Sequence, residues 1–448
     1  MCGPVGARRR GAATSSCAAA SCVRRPSGTF ATVAGCPRAS STVEAVTRHR
    51  FIAAVLALTA ALALGAVGCG GNDDDDDGGS TQQVRPPTEL EPLREIGPGE
   101  GEVNLIAWAG YVEDGSTDPK VDWVTGFERE TGCKVNATTA GTSDEMVTLM
   151  RTGDYDGVSA SGDATLRLIE GGDVAPVNTD LLENYADVFD ALKDKPHNSV
   201  GGQMYGVPQG RGANVLMWNR AEVEPAPDSW SVVWDGDSPY KGKVTAYDSP
   251  ISIADAALYL KATKPDLGID NVYALDDRQF DAAIELLETQ RAIVGEYWSD
   301  YTQVEAAFNE GDAVVGTTWQ VIANLVERDG KVEIDTTLPK EGATGWSDTW
   351  MISSKARNPN CMYMWMDHVI SPQANADVAE WFGEAPSNRK SCELTANTGH
   401  CEVFHAEDEA YFDRVALWTT PTKSCGDERG AVCKDYSDWV AAWRELRR

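Results

Sequence analysis

Three short segments of the sequence place tryptophans beside carboxylates or small residues where predicted strands end. They read LIAWAGYV (Leu105–Val112), VVGTTWQ (Val314–Gln320) and PKEGATGWSDTWMIS (Pro339–Ser353). The face of a tryptophan ring attracts cations, and a nearby carboxylate supplies the opposite charge. A single tryptophan in such a setting would be ordinary packing, but three of them predict a site for a positively charged amine.

The sequence lacks the patterns of the common catalytic sites. G-x-S-x-G, the P-loop and H-E-x-x-H do not occur, and SNRK at Ser387–Lys390 matches S-x-x-K without the S-D-N and K-T-G that accompany it. We therefore expect a binding protein that is not an enzyme and needs no cofactor. A surface hydrolase that uses two of the many carboxylates is the alternative from another class.

The charge balance narrows the choice of partners. The chain holds 39 Lys and Arg against 69 Asp and Glu, a net charge of −30. Without residues 1–68, which contribute eight arginines and one glutamate, 31 basic and 68 acidic residues leave −37. This charge repels nucleic acid, which we exclude as a partner, and it favours cationic small molecules.

The elements that must position these residues alternate between strand and helix patterns. From Val103 to Ser159 the order is βαβαβ, which is typical of an open, largely parallel sheet in an α/β fold. Later patterns predict further elements, among them helices over Glu407–Trp418 and Tyr436–Leu446. Ligands of open α/β sheets bind beyond the carboxyl ends of the strands. This rule selects three candidate edges of the site: Trp108–Tyr111, Ser159–Asp163 and Trp319–Gln320.

The N-terminal part has the pattern of an export signal. Phe51–Gly68 is apolar and uncharged, follows Arg48 and Arg50, and leads into Ala-Val-Gly-Cys, which resembles the bacterial lipoprotein box. We expect residues 43–68 to be a lipoprotein signal peptide and Cys69 to carry the lipid. A single-pass membrane anchor is the alternative, and either one places the remainder outside the cytoplasm.

Two other N-terminal segments are excluded from the fold. Residues 1–42 are rich in Arg, Ser and Cys, and we interpret them as a mis-assigned or disordered extension. Residues 69–101 carry five consecutive aspartates and little apolar content, so we expect a flexible tether.

Six cysteines follow Cys69, and an even number in an exported chain predicts disulfides. Six cysteines permit fifteen pairings. Proximity in sequence favours Cys392–Cys401 and Cys425–Cys433, which leaves Cys133–Cys361. A metal cluster of Cys392, Cys401, His400 and His405 is the competing interpretation, although we expect no metal.

From about Val103 to Leu446 the chain resembles the spermidine/putrescine type of periplasmic binding protein, the receptor of an ABC importer. The resemblance rests on the order of seven segments: LIAWAGYV, FERETGCKV, YDGVSASGD, MYGVPQGRGANVLMWN, SWSVVWDGDSPYKGKV, PKEGATGWSDTWMIS and WFGEAPSN.

The resemblance implies two α/β lobes of the type II periplasmic-binding-protein fold, joined by crossing segments and closing by a hinge motion. The first lobe would be residues 102–212 with 346–390, and the second 213–345 with 391–448. The implied function is to capture a polyamine between the lobes and deliver it to a membrane permease. We expect a monomer held by its lipid at the membrane, in the periplasm or on the outer face of the cell envelope.

The resemblance also implies a set of ligand-binding residues. They comprise aromatic walls, a small polar group and two carboxylates: Trp108, Tyr111, Trp319 and Trp346; Ser161; Asp348 and Asp248.

The chain departs from the pattern of this family at five positions. Asp163, Glu384 and Arg211 stand where the family has aromatic residues, and we expect all three to belong to the ligand-binding set. Ile251 replaces an expected glutamate, and Arg444 replaces an amide. A buried arginine requires an anionic partner, so Arg211 leaves two ligands open. One is a polyamine, with Arg211 neutralised by Asp163 or Glu384, and the other is a zwitterionic ω-amino acid.

Overall fold

The computed structural model describes residues 90–448 of the chain. The proposed signal peptide, the lipidation site Cys69 and the first part of the proposed tether lie outside these residues. In the described part, every helix is too short or too polar to span a bilayer.

Short apolar runs bounded by glycines and acidic turns form the strands. The strands of the described part are β1 (Glu102–Ala107), β2 (Lys134–Thr139), β3 (Gly157–Ala160), β4 (Ser199–Val200), β5 (Gln203–Met204), β6 (Val207–Ala213), β7 (Val215–Asn219), β8 (Val244–Tyr247), β9 (Val294–Trp298), β10 (Val315–Thr318), β11 (Ile334–Thr337), β12 (Ala343–Ile352), β13 (Ala385–Pro386) and β14 (Val415–Leu417).

Several helices begin at an acidic or hydroxyl cap and end at a glycine. Thr142 caps one of them, Asp276 and Asp300 form capping boxes with Gln279 and Gln303, and Gly153 ends a helix with a positive φ. The α-helices in this part are α1 (Val124–Thr131), α2 (Ser143–Thr152), α3 (Gly162–Glu170), α4 (Ser231–Trp234), α5 (Ser252–Thr263), α6 (Asp277–Arg291), α7 (Tyr301–Glu310), α8 (Gln320–Asp329), α9 (Pro359–Val369), α10 (Pro372–Phe382), α11 (His400–Val403), α12 (Glu409–Phe412) and α13 (Tyr436–Leu446).

The strands form two mixed sheets and a small ribbon. The first sheet has the order β13-β6-β12-β3-β1-β2, with β14 paired to β12, and the second has the order β11-β7-β10-β8-β9. The βαβαβ pattern is confirmed for β1, β2 and β3, whose pairs are parallel, but β12 runs antiparallel to β3 and to β6. We call the first sheet, with the helices packed on it, the first lobe. The second sheet and its helices are the second lobe.

The chain crosses between the sheets over very short distances. Asn214 alone separates β6 of the first sheet from β7 of the second. Its backbone N–H donates to the Thr344 carbonyl at 2.9 Å, and its side-chain amide donates to the Thr344 hydroxyl at 2.7 Å. Asp255 on α5 of the second lobe accepts a hydrogen bond from the same hydroxyl. These contacts join the two lobes where a hinge would bend.

The predicted helix over Glu407–Trp418 is wrong. Residues Glu409–Phe412 make one helical turn, and Val415–Leu417 then forms β14 along β12 of the first sheet. The amphipathic period of this segment is overridden by the hydrogen bonds that β12 offers at its free side. Because residues 391–448 had been assigned to the second lobe, this pairing moves β14 to the first, whereas α13 packs on α6 of the second.

The predicted C-terminal bound of the tether, residue 101, is also wrong. Leu93 and Ile96 pack on the core, and the carboxylate of Glu100 accepts backbone N–H bonds from Asn360 and Cys361 at the start of α9. An acidic side chain at a helix N-terminus satisfies donors that have no partner in the helix. Residues 93–100 are therefore part of the first lobe.

The three predicted disulfides are confirmed: Cys392–Cys401 and Cys425–Cys433, which proximity favoured, and the remaining pair Cys133–Cys361. Sulfurs joined in a disulfide are not thiolate ligands, so the metal cluster around Cys392 and Cys401 is a wrong interpretation. His400 instead contacts the Glu384 carbonyl at 2.8 Å, and His405 stacks on Tyr411.

Candidate ligand-binding site

Four buried polar side chains from separate parts of the first lobe meet at one point. Tyr111 follows β1, Ser161 directly precedes α3, Asp348 lies on β12, and Glu384 lies between α10 and β13. The register of β12 against β6 shifts between Asp348 and Thr349. Such an irregularity changes the direction of a side chain, and it occurs here beside the carboxylate that the sequence singled out.

The Tyr111 hydroxyl joins the two carboxyl groups. Its oxygen lies 2.9 Å from Oδ2 of Asp348 and 2.8 Å from Oε2 of Glu384. The Ser161 hydroxyl donates to Oδ1 of Asp348 at 2.5 Å. A tyrosine hydroxyl has a single hydrogen and donates to only one acceptor at a time. One of the two carboxyl groups must therefore carry a proton and donate to Tyr111 in this arrangement.

Burial raises the pKa of both carboxyl groups. The pKa of Asp348 is raised to about 7 by burial, against the hydrogen bonds from Ser161 and Tyr111, and the charge of Asp163 adds to the rise. Burial and the charge of Asp348 raise the pKa of Glu384 to about 8. In the described part of the chain the polar partners of these carboxylates are neutral: Tyr111, Ser161 and Gln209. A bound cation would supply the positively charged partner that these carboxylates lack.

Aromatic rings from both lobes contact one another, and one of them is Tyr111 of this cluster. The rings of Trp108 and Trp319, one from each lobe, meet edge to face at 5.5 Å, and Tyr247 of the second lobe lies 5.2 Å from Trp319. Phe382 lies 4.5 Å from Tyr111 and 5.4 Å from Trp346. The predicted aromatic residues thus form two aromatic walls, one in which Trp108 contacts Trp319 and one in which Phe382 links Tyr111 to Trp346.

A cavity of about 750 Å³ lies between the two lobes. Trp108, Phe382 and Glu113 line it from the first lobe, and Trp319, Tyr301 and Glu305 line it from the second. Burial raises the pKa of Glu113, against hydrogen bonds to Thr117 and Trp381. Tyr111, Asp348 and Glu384 are not among the residues that line this cavity.

Asp163 lies in the first turn of α3 and is fully buried. Its Oδ1 accepts a hydrogen bond from Ser143 at 2.8 Å, while Oδ2 has no partner among the described residues. Burial raises its pKa to about 6. Asp163 therefore belongs to the same set of buried acidic groups as Asp348.

The structure directs Arg211 away from the cluster. One guanidinium nitrogen lies 2.7 Å from Oε1 of Glu409, and the group lies 3.7 Å above the ring of Phe412. The expectation that Asp163 or Glu384 neutralises Arg211 is wrong, because Glu409 does so. Arg211 instead lines a separate cavity with Phe412 and Trp346.

Two other predicted positions also lie apart from the cluster. Asp248 accepts a hydrogen bond from the Trp443 indole at 2.9 Å and lies 3.1 Å from the Arg447 guanidinium, so the C-terminal helix occupies it. Arg444 lines a third cavity beside Arg151 and Arg167 and does not enter the cleft.

Sequence reasoning missed three residues near the site: Tyr247, Phe382 and Trp418. Tyr247 ends β8, where the rule about carboxyl ends of strands would have selected it. Phe382 lies in the quoted WFGEAPSN, directly before Gly383 and Glu384. Trp418 lay inside the helix that the structure replaces by β14, and its ring stacks 6.1 Å from Tyr247.

This arrangement is that of a two-lobed binding protein, in which a hinge joins the lobes and a ligand site lies between them. The chain belongs to the family of bacterial extracellular solute-binding proteins, whose profile matches residues 122–399. Family members are receptors, which favours binding over the hydrolase alternative.

Known proteins extend the comparison beyond the family. The spermidine/putrescine-binding periplasmic protein of Escherichia coli is 25% identical over 285 residues, which are 63% of this chain and 76% of that one. A Treponema pallidum lipoprotein aligns with a TM-score of 0.62 at 18% identity, over 77% of this chain and 99% of its own. A GABA receptor aligns with a TM-score of 0.55 at 20% identity, over 77% and 95%. The two-lobed α/β fold and the resemblance expected from the sequence are both confirmed.

Proposed function

We propose that this protein is the receptor of an ABC importer and captures a polyamine between its lobes. The carrying observation is the pair of buried carboxyl groups, Asp348 and Glu384, that meet at Tyr111 without a cationic side chain among the described residues. An ammonium group bound there would be the cation that both carboxylates lack, and charge-assisted hydrogen bonds are the strong ones.

The aromatic walls support the same ligand. A polyamine is an apolar chain with ammonium groups, and the rings of Trp108, Trp319 and Trp346 offer both apolar contact and cation–π attraction. A protein named for spermidine and putrescine is among the relatives of this chain. We further propose export, a lipid on Cys69, and delivery of the amine to a membrane permease when the lobes close.

A zwitterionic ω-amino acid is supported less well. Its carboxylate would need a cation in the cleft, and Arg211, the residue on which that alternative depended, is paired with Glu409. The fold is shared with a GABA receptor, but a fold does not define a ligand.

Calorimetric titration of the full-length protein with putrescine, spermidine and γ-aminobutyrate tests the proposal. We expect Asp348→Asn to weaken putrescine binding about 30-fold or more, because it leaves an ammonium group without its partner. Asp367→Asn is the matched control, since this half-buried carboxyl on α9 binds Asn184 and lies apart from the cleft. Equal binding by wild type and Asp348→Asn, or binding of γ-aminobutyrate alone, would contradict the proposal.

A further inference from the structure

One buried carboxylate is not used by the cluster around Tyr111. The side chain of Asp163 is fully buried, yet Oδ2 is without a hydrogen-bond partner in the described part of the chain. An acceptor left unpaired in the interior costs free energy unless something else supplies a donor. This oxygen therefore indicates a donor that the described residues do not provide.

Asp163 lies beside the ligand site. It shares the N-terminus of α3 with Ser161, whose hydroxyl binds Asp348. Its charge raises the pKa of Asp348 and adds to the rise that burial causes in the pKa of Tyr247. The position is suited to contact with a ligand that extends from Asp348.

The charge of Arg167 lowers the pKa of Asp163, but Arg167 makes no hydrogen bond to it. Arg167, one turn along α3, lies 2.8 Å from Asp144, and its guanidinium is 4.0 Å from the ring centre of Tyr436. The remaining groups near Asp163 are the Ser143 hydroxyl and the Thr420 hydroxyl, which donates to the backbone carbonyl of Asp163. Gly162 approaches the Trp418 carbonyl so closely that a Cβ would lie 1.7 Å from it, so the C-terminal segment closes this side.

The family resemblance implied further acidic contacts with the ligand at positions 248 and 251. Neither position has a carboxylate that is available to a ligand. Asp248 is bound by Trp443 and Arg447, and Ile251, which stands where a glutamate was expected, is apolar and buried. A second ammonium group therefore needs another carboxylate.

We propose that Asp163 binds this second ammonium group, and that the far anchor of the ligand lies on α3 of the first lobe rather than beside Asp248 of the second. This inference rests on the proposed function and specifies its ligand: a linear amine with at least two ammonium groups. The carboxylate of an ω-amino acid would meet Asp163 and be repelled, so such a ligand is rejected.

The test compares ligands that differ by one charge. Putrescine carries two ammonium groups and butylamine one, on chains of the same length. Thermal-shift and calorimetric titrations of the full-length protein would compare wild type, Asp163→Asn, Asp163→Glu and Asp248→Asn, with the melting temperature of each variant recorded without ligand.

We expect Asp163→Asn to weaken putrescine binding about 10- to 100-fold, which is typical when a hydrogen-bonded charge loses its partner. Butylamine should bind wild type and Asp163→Asn within about twofold of each other, because it lacks the second charge. Asp163→Glu, which keeps the charge, should retain more putrescine affinity than Asp163→Asn, and Asp248→Asn should bind putrescine like wild type. General destabilisation of the protein would lower the affinities for putrescine and butylamine alike. The ratio of the two affinities therefore reports the effect of the second ammonium group.

Three results would separate the possible failures. Loss of putrescine binding in Asp248→Asn with none in Asp163→Asn would overturn this inference and return the anchor to the second lobe. Equal losses for putrescine and butylamine in Asp163→Asn would also overturn it. A wild-type protein that binds neither putrescine nor spermidine would instead overturn the proposed function.

Discussion

Two charged side chains on neighbouring strands, Asp348 of β12 and Arg211 of β6, have opposite surroundings. Arg211 lies opposite Ser347 in the sheet register, one residue from Asp348. Arg211 nevertheless pairs with Glu409 at 2.7 Å, whereas Asp348 is contacted by the neutral hydroxyls of Ser161 and Tyr111. The chain thus has a cation close to its buried carboxylates and directs it to another partner. In this comparison the carboxylates are kept available for a cation that the chain itself does not supply.

The largest effect on ligand binding is expected from removing the second carboxylate of the cluster, that of Glu384. Glu384→Gln keeps the shape of the side chain, and we expect putrescine affinity to fall about 10- to 100-fold because one charge-assisted contact is lost. The melting temperature without ligand should stay the same or rise, since a buried acidic group with few partners is removed. Calorimetry and thermal unfolding measure the two effects.

Gln373, which binds Asp377 on the exposed side of α10, offers a control for Glu384→Gln. Gln373→Ala should leave putrescine affinity within about twofold of wild type. If Glu384→Gln binds putrescine as wild type does, Glu384 is part of the packing and not of the ligand site.

A change of pH tests the same pair without mutation. The pKa of Asp348 is raised to about 7 and that of Glu384 to about 8, so near pH 6 both groups hold protons in the folded protein without ligand, and an ammonium group must displace them. Putrescine affinity should therefore rise with pH between 6 and 8, by up to about tenfold per pH unit for each proton released. Titrations in buffers of different ionisation enthalpy would measure that release.

The stability of the protein without ligand should change in the opposite direction. A carboxyl group whose pKa is higher in the folded than in the unfolded state favours folding below the unfolded pKa. That contribution is lost as the pH rises through the folded pKa. We expect the melting temperature without putrescine to fall as the pH approaches 8, and the shift caused by putrescine to grow. Proton uptake on binding would contradict both expectations.

The sequence predicted the parts of the site that depend on local pattern. Trp108 and Trp319 follow strands whose carboxyl ends could be located from apolar runs, and Asp348 lies beside Trp346 in a quoted segment. It could not predict which partner each charge would take, because these contacts join distant residues: Tyr111 and Glu384 are 273 positions apart, and Arg211 and Glu409 are 198 apart.

The fold was predictable to a similar depth. The parallel strands β1, β2 and β3 followed from the alternating pattern, and α13 was predicted with its observed ends, Tyr436–Leu446. β14 was not predictable, because its three residues become a strand only through pairing with β12, which is distant in sequence. An element that forms only through tertiary contacts, such as β14, could therefore not be predicted from local sequence.

The smallest effect on putrescine affinity is expected from changes in the Arg211–Glu409 pair. Arg211→Met keeps apolar contact with Phe412 and removes the charge, so putrescine affinity should stay within about twofold of wild type if Arg211 has no role in the cleft. Only 4% of the Arg211 side chain is exposed, but 57% of that of Glu409 is. Solvent screening therefore limits the loss of stability in Glu409→Gln to about 1 kcal/mol.

Denaturant unfolding of both variants and of the double variant measures the pair, while calorimetry with putrescine and γ-aminobutyrate measures the cleft. If Arg211 acts only through Glu409, the two substitutions should change stability by less together than the sum of their separate effects, because they remove the same contact. A large loss of ligand affinity in Arg211→Met, with Glu409→Gln unchanged, would place the guanidinium at the ligand. The contrast between Arg211 and Asp348 would then fail, and a ligand carrying a carboxylate would replace the polyamine.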